Sequence, residues 1–178
     1  SEKKQFKDGL LHGQFDIWNE SGTIVRTGNF SNNYEHGIWT DYFSNGTKRM
    51  ETKWKYGKKD GTTKWWFPNG NIKKNGIFKN NEKQGAWYTY YECSQKKKYN
   101  FYINGILNGK STSWFENDKI DIEGHYLNGK KHGLWKKFYL NGNKKKETNY
   151  SLGKKNGCTK SFHKNGIMLI EKNFKNNL

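Results

Sequence analysis

The sequence lacks several features that would mark a membrane protein, a disulfide scaffold or a proline-rich linker. Proline occurs once, at Pro68, and cysteine only twice, at Cys93 and Cys158, among 178 residues. Two cysteines do not make a disulfide framework. No apolar run approaches the ~18 residues of a membrane span, and no signal-peptide core is visible. A soluble protein, or a mature form whose leader has been removed, is therefore expected.

Motifs for catalysis, metals and cofactors are also missing. No G-x-S-x-G, H-E-x-x-H or P-loop pattern appears, and "GKS" at 109–111 lacks the glycine-rich loop that precedes a phosphate-binding lysine. The sequence predicts no catalytic residue, no metal site and no cofactor. It therefore argues against an enzyme.

Aliphatic side chains are scarce, but aromatic ones are not. The chain is 31% hydrophobic, and aromatic residues make up 17% of it. Disordered chains combine high charge with few aromatics, so this content argues against disorder. We expect a thin core built mainly on rings.

Glycine recurs at a fixed interval of 24 residues. Alignment on the glycine of "HGLW" gives seven copies with no insertion or deletion, which predicts a repeat array. We call these seven residues the repeat glycines and count positions in each copy from them. They are Gly13, Gly37, Gly61, Gly85, Gly109, Gly133 and Gly157.

Three further columns run through every copy. An aromatic residue stands five residues after the repeat glycine, and another stands seven residues before it. Four residues before it stands only Gly or Asn, the residues that most readily adopt the left-handed conformation. These columns are Trp18, Tyr42, Trp66, Tyr90, Trp114, Phe138 and Phe162; Phe6, Phe30, Trp54, Phe78, Tyr102, Tyr126 and Tyr150; and Gly9, Asn33, Gly57, Asn81, Gly105, Gly129 and Gly153.

Each unit is predicted to be a β-hairpin. A short aromatic strand is followed by a turn usually spelled Asn-Gly, a second strand and a polar turn. Two turns in 24 residues leave no room for a helix. We therefore predict an all-β fold: an elongated, single-layer, twisted antiparallel sheet of consecutive hairpins, forming one repeat domain over residues 1–178.

This pattern resembles the MORN-repeat variant family over nearly the whole chain. The closest segments are "GIWTDYFSNG" (37–46), "GLWKKFYLNG" (133–142) and "HYLNGKKHG" (125–133). The resemblance implies non-enzymatic binding or scaffolding and transfers no catalytic residue. Proteins of this type include YwqK-type bacterial antitoxins and exported 24-residue-repeat proteins. The aromatic residue that stands two positions after the repeat glycine in other copies is replaced in three of them, by Thr63, Ser111 and Thr159.

Repeat spacing also bears on isolated polar residues. We interpret His12, His36 and His132, which precede repeat glycines, as turn residues, because equivalents in adjacent repeats should lie ~10 Å apart and cannot share a zinc ion. Cys93 and Cys158 are three repeats apart and are predicted to be free thiols. The same spacing argues against a paired-carboxylate site in the acidic column Glu51, Glu123, Glu147 and Glu171.

The net charge of +17 admits two interpretations. It attracts nucleic acid, anionic lipid and acidic polymers. Lysines spread along an open sheet also keep it from pairing with other sheets. Only Arg26 and Arg49 are arginine, the residue that favours bidentate recognition of bases, so sequence-specific nucleic-acid binding is not predicted.

The aromatic residues fall into two sets. The columns present in all copies are expected to form the core, because every unit must build one. Rings at variable positions, with two neighbouring lysines, are the candidates for an exposed interaction surface. That candidate surface is Phe15, Trp39, Trp65, Trp87, Trp135, Lys136 and Lys137.

We expect a protein-interaction module or scaffold whose partner is another protein. An antitoxin-like neutraliser of a toxin and a binder of acidic lipid, glycan or other polyanionic surfaces are the alternatives. Export to the periplasm or cell surface with the signal removed, or residence in the cytoplasm, are both compatible with the sequence. The chain begins and ends part-way through a repeat. Either a truncated array or half-repeat caps would produce this pattern.

Overall fold

The computed structural model describes all 178 residues, which form strands and turns. It contains no helix that could cross a membrane. The chain divides into two compact units. The first comprises Ser1–Gln84 with Glu92–Ser94, and the second comprises Gly85–Tyr91 with Gln95–Leu178. That residues 1–178 act as one repeat domain stays a prediction.

The first unit contains an open antiparallel sheet and a small separate hairpin. Its strands are β1 (Glu2–Lys3), β2 (Phe6–Lys7), β3 (Leu10–Leu11), β4 (Gly13–Trp18), β5 (Ile24–Ser31), β6 (Tyr34–Tyr42), β7 (Lys48–Lys55), β8 (Lys58–Trp66) and β9 (Ile72–Lys79). β1 pairs with β4, and β4 to β9 pair with one another in chain order. β2 and β3 form the separate hairpin.

The second unit repeats this arrangement. Its strands are β10 (Glu82–Tyr90), which enters the unit at Gly85, β11 (Lys96–Ile103), β12 (Ile106–Trp114), β13 (Ile120–Leu127), β14 (Lys130–Phe138), β15 (Lys144–Ser151), β16 (Lys154–Phe162) and β17 (Met168–Phe174). Each pairs antiparallel with the next, in chain order and without a crossover. The predicted all-β fold of consecutive antiparallel hairpins is confirmed.

One class of turn is formed by the Gly/Asn column. Asn32 and Asn33 connect the cross-strand partners Ser31 and Tyr34, with φ angles of 49° and 68°. Positive φ at both central residues is the type I′ geometry, which matches the twist of the flanking strands. The predicted left-handed conformation is found throughout the column.

The other class of turn is the Asn-Gly hairpin. Gly142, at φ 95°, donates its N–H to the Tyr139 carbonyl at 2.8 Å. The Asn141 Oδ1 accepts the Asn143 N–H at 3.1 Å, and its Nδ2 donates to the Lys164 carbonyl in the next turn at 2.8 Å. Asparagine therefore closes its own turn and ties it to the following repeat.

The core differs from the one that the sequence predicts. Three indoles, Trp39, Trp87 and Trp135, are the fully buried apolar side chains, with 3%, 3% and 7% exposure. They lie 48 residues apart, and Thr63 and Ser111, also buried, occupy the same position in the copies between them. Each Trp copy thus alternates with a small-residue copy, so the packing period in this part of the chain is two repeats.

Small residues face one another in the intervening copies. Thr52 is fully buried and its hydroxyl lies 2.7 Å from that of Thr63. Ser111 donates a hydrogen bond to the Asn100 amide oxygen at 2.7 Å. These bonds satisfy polar groups that burial would otherwise leave unpaired.

The aromatic columns found in all copies are half-buried, except at the exposed Phe6, and rings of these columns flank the indoles. The rings of Phe30 and Trp39 meet edge-on at 5.0 Å. Lysines interleave with these rings, as where the Lys59 ammonium lies 5.5 Å from the Trp54 ring and 5.3 Å from the Phe78 ring. The columns predicted to form the core are thus partly layers of alternating rings and cations.

The histidine prediction was wrong for two residues. His36 and His132 lie within β6 and β14, because each strand begins before its repeat glycine and runs through it, with φ values of 75° and 70° at Gly37 and Gly133. His132 is the cross-strand partner of His125. Both cysteines are free, as predicted.

Candidate interaction groove

Positive charge is concentrated in the second unit. This unit has eighteen lysines and six acidic residues, a formal net charge of +12. The first unit has fifteen basic and ten acidic residues, a formal net charge of +5, and contains both arginines. An anionic partner is therefore drawn mainly to the second unit.

Two adjoining cavities lie on one face of the second unit, with volumes of about 120 Å³ and 180 Å³. They share Ile122, Lys131 and Trp135 as walls, and we call their combined lining the groove. Five of its residues are lysines and none is acidic. The full lining is Lys98, Ser111, Ser113, Ile122, Tyr126, Lys131, Trp135, Lys136, Lys137, Lys146, Thr148 and Tyr150.

Strand alternation brings the main groove residues together. Side chains at every second position of a strand share a face, so Trp135 and Lys137 of β14 project to the same side. The register of β13 with β14 places Tyr126 opposite Lys131, and that of β14 with β15 places Lys137 opposite Lys146. With Lys98 of β11 and Ser111 and Ser113 of β12, five consecutive strands supply the groove.

Lys131 is the central cation of the groove. Its ammonium lies 4.4 Å from the centre of the Trp135 ring and 5.2 Å from that of Tyr150. Burial lowers the pKa of Lys131. Aromatic faces attract such a cation, most strongly where water is excluded, so both rings hold the charge in place. Burial also raises the pKa of the Tyr126 phenol.

Lys137 and Lys146 are like charges directly opposite each other in the sheet. Such pairs destabilise a sheet by an amount on the order of 0.2–1 kcal/mol. Neither lysine forms an ion pair within the chain. An anion placed between these ammonium groups would remove the repulsion, so the arrangement favours a negatively charged ligand.

Acidic residues pair with several lysines of the second unit. The Lys136 ammonium lies 3.5 Å from the Glu123 carboxylate, and that of Lys144 lies 2.9 Å from Glu147. Lys160 and Glu171 are 3.5 Å apart. The acidic column noted in the sequence therefore neutralises these lysines, including Lys136 of the groove lining, whereas Lys131, Lys137 and Lys146 have no ion-pair partner.

The predicted interaction residues are only partly brought together. Trp135, Lys136 and Lys137 all line the groove. Trp39 and Trp87, however, are buried, and Trp135 forms a floor rather than an exposed ring. Placing these indoles on an exposed surface was therefore wrong, because the small-residue copies between them leave space into which they pack.

Two other predicted surface rings lie in the first unit. Phe15 packs against Phe30 at 5.2 Å and against Trp39 at 5.7 Å. Trp65 is half-buried with the Lys74 ammonium 5.1 Å from its ring. Burial and the nearby Lys83 lower the pKa of Lys74. Neither ring contributes to the groove.

The sequence interpretation missed several groove residues, among them Lys131, the central cation. One pattern could have identified it. Lysine stands two residues before the repeat glycine in four copies and five residues after a column aromatic. That spacing makes lysine and ring cross-strand partners across the two-residue turn, as in Trp54 with Lys59 and Tyr126 with Lys131.

The chemistry of the groove suits binding. Its lining offers ammonium groups, phenols, hydroxyls and one indole face, without a carboxylate, imidazole or thiol. Elsewhere, no group of three or more His, Cys, Asp and Glu side chains is placed to hold a metal ion. The arrangement can hold an extended anionic ligand by charge and by ring contacts.

A protein-family model described as the MORN repeat variant matches four segments, residues 59–80, 107–128, 131–151 and 155–176. Repeats of this family generally serve as protein- or membrane-interaction modules and are typically not enzymes. No curated protein matches the chain. From its repeat pattern, its hairpin array and these four matches, the chain belongs to the MORN repeat variant family.

Proposed function

We propose that the protein is a non-enzymatic interaction module whose groove binds an acidic segment of a partner protein. The observation that carries the proposal is the unpaired, like-charged pair Lys137 and Lys146 beside half-buried Lys131, in a groove that has no acidic residue. A protein gains no stability from such a cluster. A negatively charged partner would turn it into a source of affinity.

The groove also favours a polypeptide over a simple polyanion. Ile122, Trp135 and Tyr150 provide apolar and aromatic surface between the ammonium groups. An acidic segment with an aromatic or aliphatic side chain would use both kinds of surface. The absence of arginine from the second unit argues against bidentate phosphate recognition.

Two finer roles fit within this proposal. Neutralisation of an acidic toxin would be one form of such binding, in line with the antitoxin-like proteins that the repeat resembles. Binding to anionic lipid or glycan would use the same charges with less need for the aromatic floor. An exported form would meet such surfaces outside the cell.

The proposal is tested by comparing two variants of equal charge. One carries Lys131→Gln, Lys137→Gln and Lys146→Gln in the groove, and the control carries Lys110→Gln, Lys130→Gln and Lys154→Gln at exposed positions outside it. The probe is a fluorescein-labelled peptide of about twelve residues containing glutamate and phenylalanine, measured by anisotropy at physiological salt. Vesicles containing phosphatidylserine are measured in parallel.

We expect the groove variant to lose about tenfold or more in peptide affinity and the control to lose about twofold or less, since local charge complementarity contributes more than diffuse charge. Equal losses in the two variants would show that only diffuse charge acts, and would contradict the proposal. Vesicle binding without peptide binding would also contradict it and would favour a membrane role.

A further inference from the structure

A serine of the groove stands at a position where the adjacent copies have tryptophan. Two residues after the repeat glycine, the copies before and after it carry Trp87 and Trp135, and the copy between them carries Ser111. All three side chains are buried, and the Ser111 hydroxyl donates a hydrogen bond to the Asn100 amide oxygen at 2.7 Å. β12 therefore contributes a small, hydrogen-bonded side chain where the neighbouring copies contribute an indole.

The indole of Trp135 extends from β14 across β13 towards this serine. It lies over Gly124, where an added methyl group would overlap the ring, and Gly124 is the cross-strand partner of Ser111. The ring of Tyr126 meets the indole edge-on, with 5.0 Å between the ring centres. Two aromatic rings therefore border the space above Ser111.

The larger cavity of the groove, with a volume of about 180 Å³, lies in this space. Its lining combines two rings and an isoleucine with two lysines and two serines. Both serine hydroxyls already donate hydrogen bonds within the chain, Ser111 to Asn100 and Ser113 to the Asp121 carboxylate at 3.3 Å. An apolar cavity of about 150 Å³ holds benzene. The volume and the walls therefore suit one aromatic ring.

The smaller cavity, with a volume of about 120 Å³, differs in charge. Lys131, Lys137 and Lys146 line it, and none of them has an ion-pair partner in the chain. The larger cavity has the Asp121 carboxylate beside Ser113, and this charge repels a second carboxylate. The acidic groups of a ligand are therefore drawn to the smaller cavity, and an uncharged side chain is favoured in the larger one.

We propose that the larger cavity takes one aromatic side chain of the acidic segment, while carboxylates of the same segment lie in the smaller cavity. The inference rests on the proposed function and narrows the partner to a segment that combines a ring with acidic residues. The ring packs against Trp135 and Tyr126, and Lys98 and Lys131 supply cations that favour an aromatic side chain over an aliphatic one of the same size. Because the two cavities share walls that include Ile122, the ring and the carboxylates stand close together in the partner's sequence.

Three peptides compare the ring with other side chains on the wild-type protein. They share one glutamate-rich sequence and carry phenylalanine, cyclohexylalanine or alanine at the same central position, with fluorescein for anisotropy at physiological salt. The alanine peptide is expected to bind about tenfold more weakly than the phenylalanine peptide, because alanine does not fill the cavity. The cyclohexylalanine peptide, which is as bulky but not aromatic, is expected to bind about threefold more weakly. Equal affinity of the phenylalanine and alanine peptides, or a cyclohexylalanine peptide that binds as tightly as the phenylalanine one, would overturn the proposal.

A variant that fills the larger cavity tests where the ring binds. Ser113→Trp introduces the residue that another copy has at the same position, Trp65. The phenylalanine and alanine peptides should bind this variant with equal affinity. Ile17→Trp, at the same position of a copy in the first unit, is the matched control and should keep the preference for phenylalanine. A folded Ser113→Trp variant that keeps this preference contradicts the placement of the ring. Far-UV circular dichroism checks folding, and the peptide comparison on the wild type decides the proposal even if Ser113→Trp does not fold.

Failure of the ring pocket and failure of the groove give different results. If the groove lysines govern binding of the alanine peptide but phenylalanine adds nothing, the groove binds acidic segments without a ring pocket. If Lys131→Gln, Lys137→Gln and Lys146→Gln together leave peptide affinity unchanged, or if no peptide binds the wild type, the proposed function fails and the ring pocket fails with it.

Discussion

Gly28 lies directly beneath the indole of Trp39, and a methyl group added at position 28 would overlap the ring. The same relationship holds between Gly124 and Trp135 in the second unit. Each indole donates its N–H to a backbone carbonyl of the neighbouring strand, to Asn29 at 3.1 Å and to His125 at 3.0 Å. A tryptophan and the glycine eleven residues before it therefore form one packing unit.

Gly28→Ala should destabilise the first unit. Its φ is not in the left-handed region, so the cost comes from crowding of the indole, about 1–3 kcal/mol as for other overpacked cores. Urea unfolding measures the loss. The control repeats the change in a Trp39→Thr background, which imitates the Thr52–Thr63 arrangement. If Gly28→Ala costs the same in both backgrounds, the ring is not the cause.

Gly129→Asn should stabilise the second unit, and Gly129→Ala should destabilise it. Gly129 has φ 78°, which asparagine tolerates and alanine does not. Asn81, its counterpart two repeats earlier, accepts the Lys59 N–H through Oδ1 at 2.7 Å. The equivalent bond to the Leu107 N–H should add about 0.5–1 kcal/mol. Thermal unfolding of the two variants checks this, and equal effects of asparagine and alanine would refute the turn assignment.

Lys137→Glu should make the protein more stable and weaken its binding to an acidic peptide. It replaces the like-charged pair with Lys146 by an opposite-charge pair, which should raise the free energy of unfolding by about 0.2–1 kcal/mol. It should also reduce the affinity for an acidic peptide. Lys110→Glu makes the same charge change outside the groove. A Lys137→Glu variant that is less stable than wild type, or that binds equally well, contradicts the assigned role of the pair.

Alkylation of Cys158 should be slow and should depend on Glu171. The thiol donates a hydrogen bond to the Glu171 carboxylate at 3.0 Å, which raises the pKa of the thiol and lowers that of the carboxyl. A raised pKa reduces the thiolate fraction at pH 8, and the thiolate is the reactive form. Glu171→Gln should therefore accelerate reaction with iodoacetamide, followed by mass spectrometry, while Cys93 serves as the internal control. An unchanged rate would contradict the hydrogen bond.

The hydrogen bond between Cys158 and Glu171 also makes the stability of the protein depend on pH in the acid range. Because the folded pKa of Glu171 is lowered, its contribution to stability is present above the unfolded pKa and is lost as the pH falls through the folded pKa. The carboxylate is exposed, so solvent screens this contribution and keeps it small.

Local turn chemistry made the fold predictable. A column restricted to Gly and Asn specifies positive φ, and Asn-Gly specifies a hairpin, so strands and their order follow from short-range patterns. Two copies lack the glycine of the Asn-Gly turn and have Ser94 or Asp118 in its place. These two residues keep positive φ angles, 70° and 60°. Because every copy has the same length of 24 residues, little freedom remained in how successive hairpins could be arranged in the sheet.

Burial was harder to predict, because it depends on pairs of copies. The position of Trp39 looks variable when each copy is compared with the next. Trp39 nevertheless belongs to the core, because Gly28 leaves room for its indole. The period of 48 residues is visible only when Trp and Gly positions are compared together. The groove was missed for a related reason: Lys131 resembles any surface lysine until the cross-strand register places it beside Tyr126 and over Trp135.

The most direct test of the groove is to locate a bound acidic peptide by cross-linking. A glutamate-rich peptide carrying one benzoyl-phenylalanine is irradiated with the wild-type protein, and the linked residues are identified by fragment mass spectrometry. We predict links to groove residues of the second unit, such as Ile122 and Tyr150. Links concentrated at Leu134, exposed on the opposite face, or at Ile38 in the first unit would contradict the account.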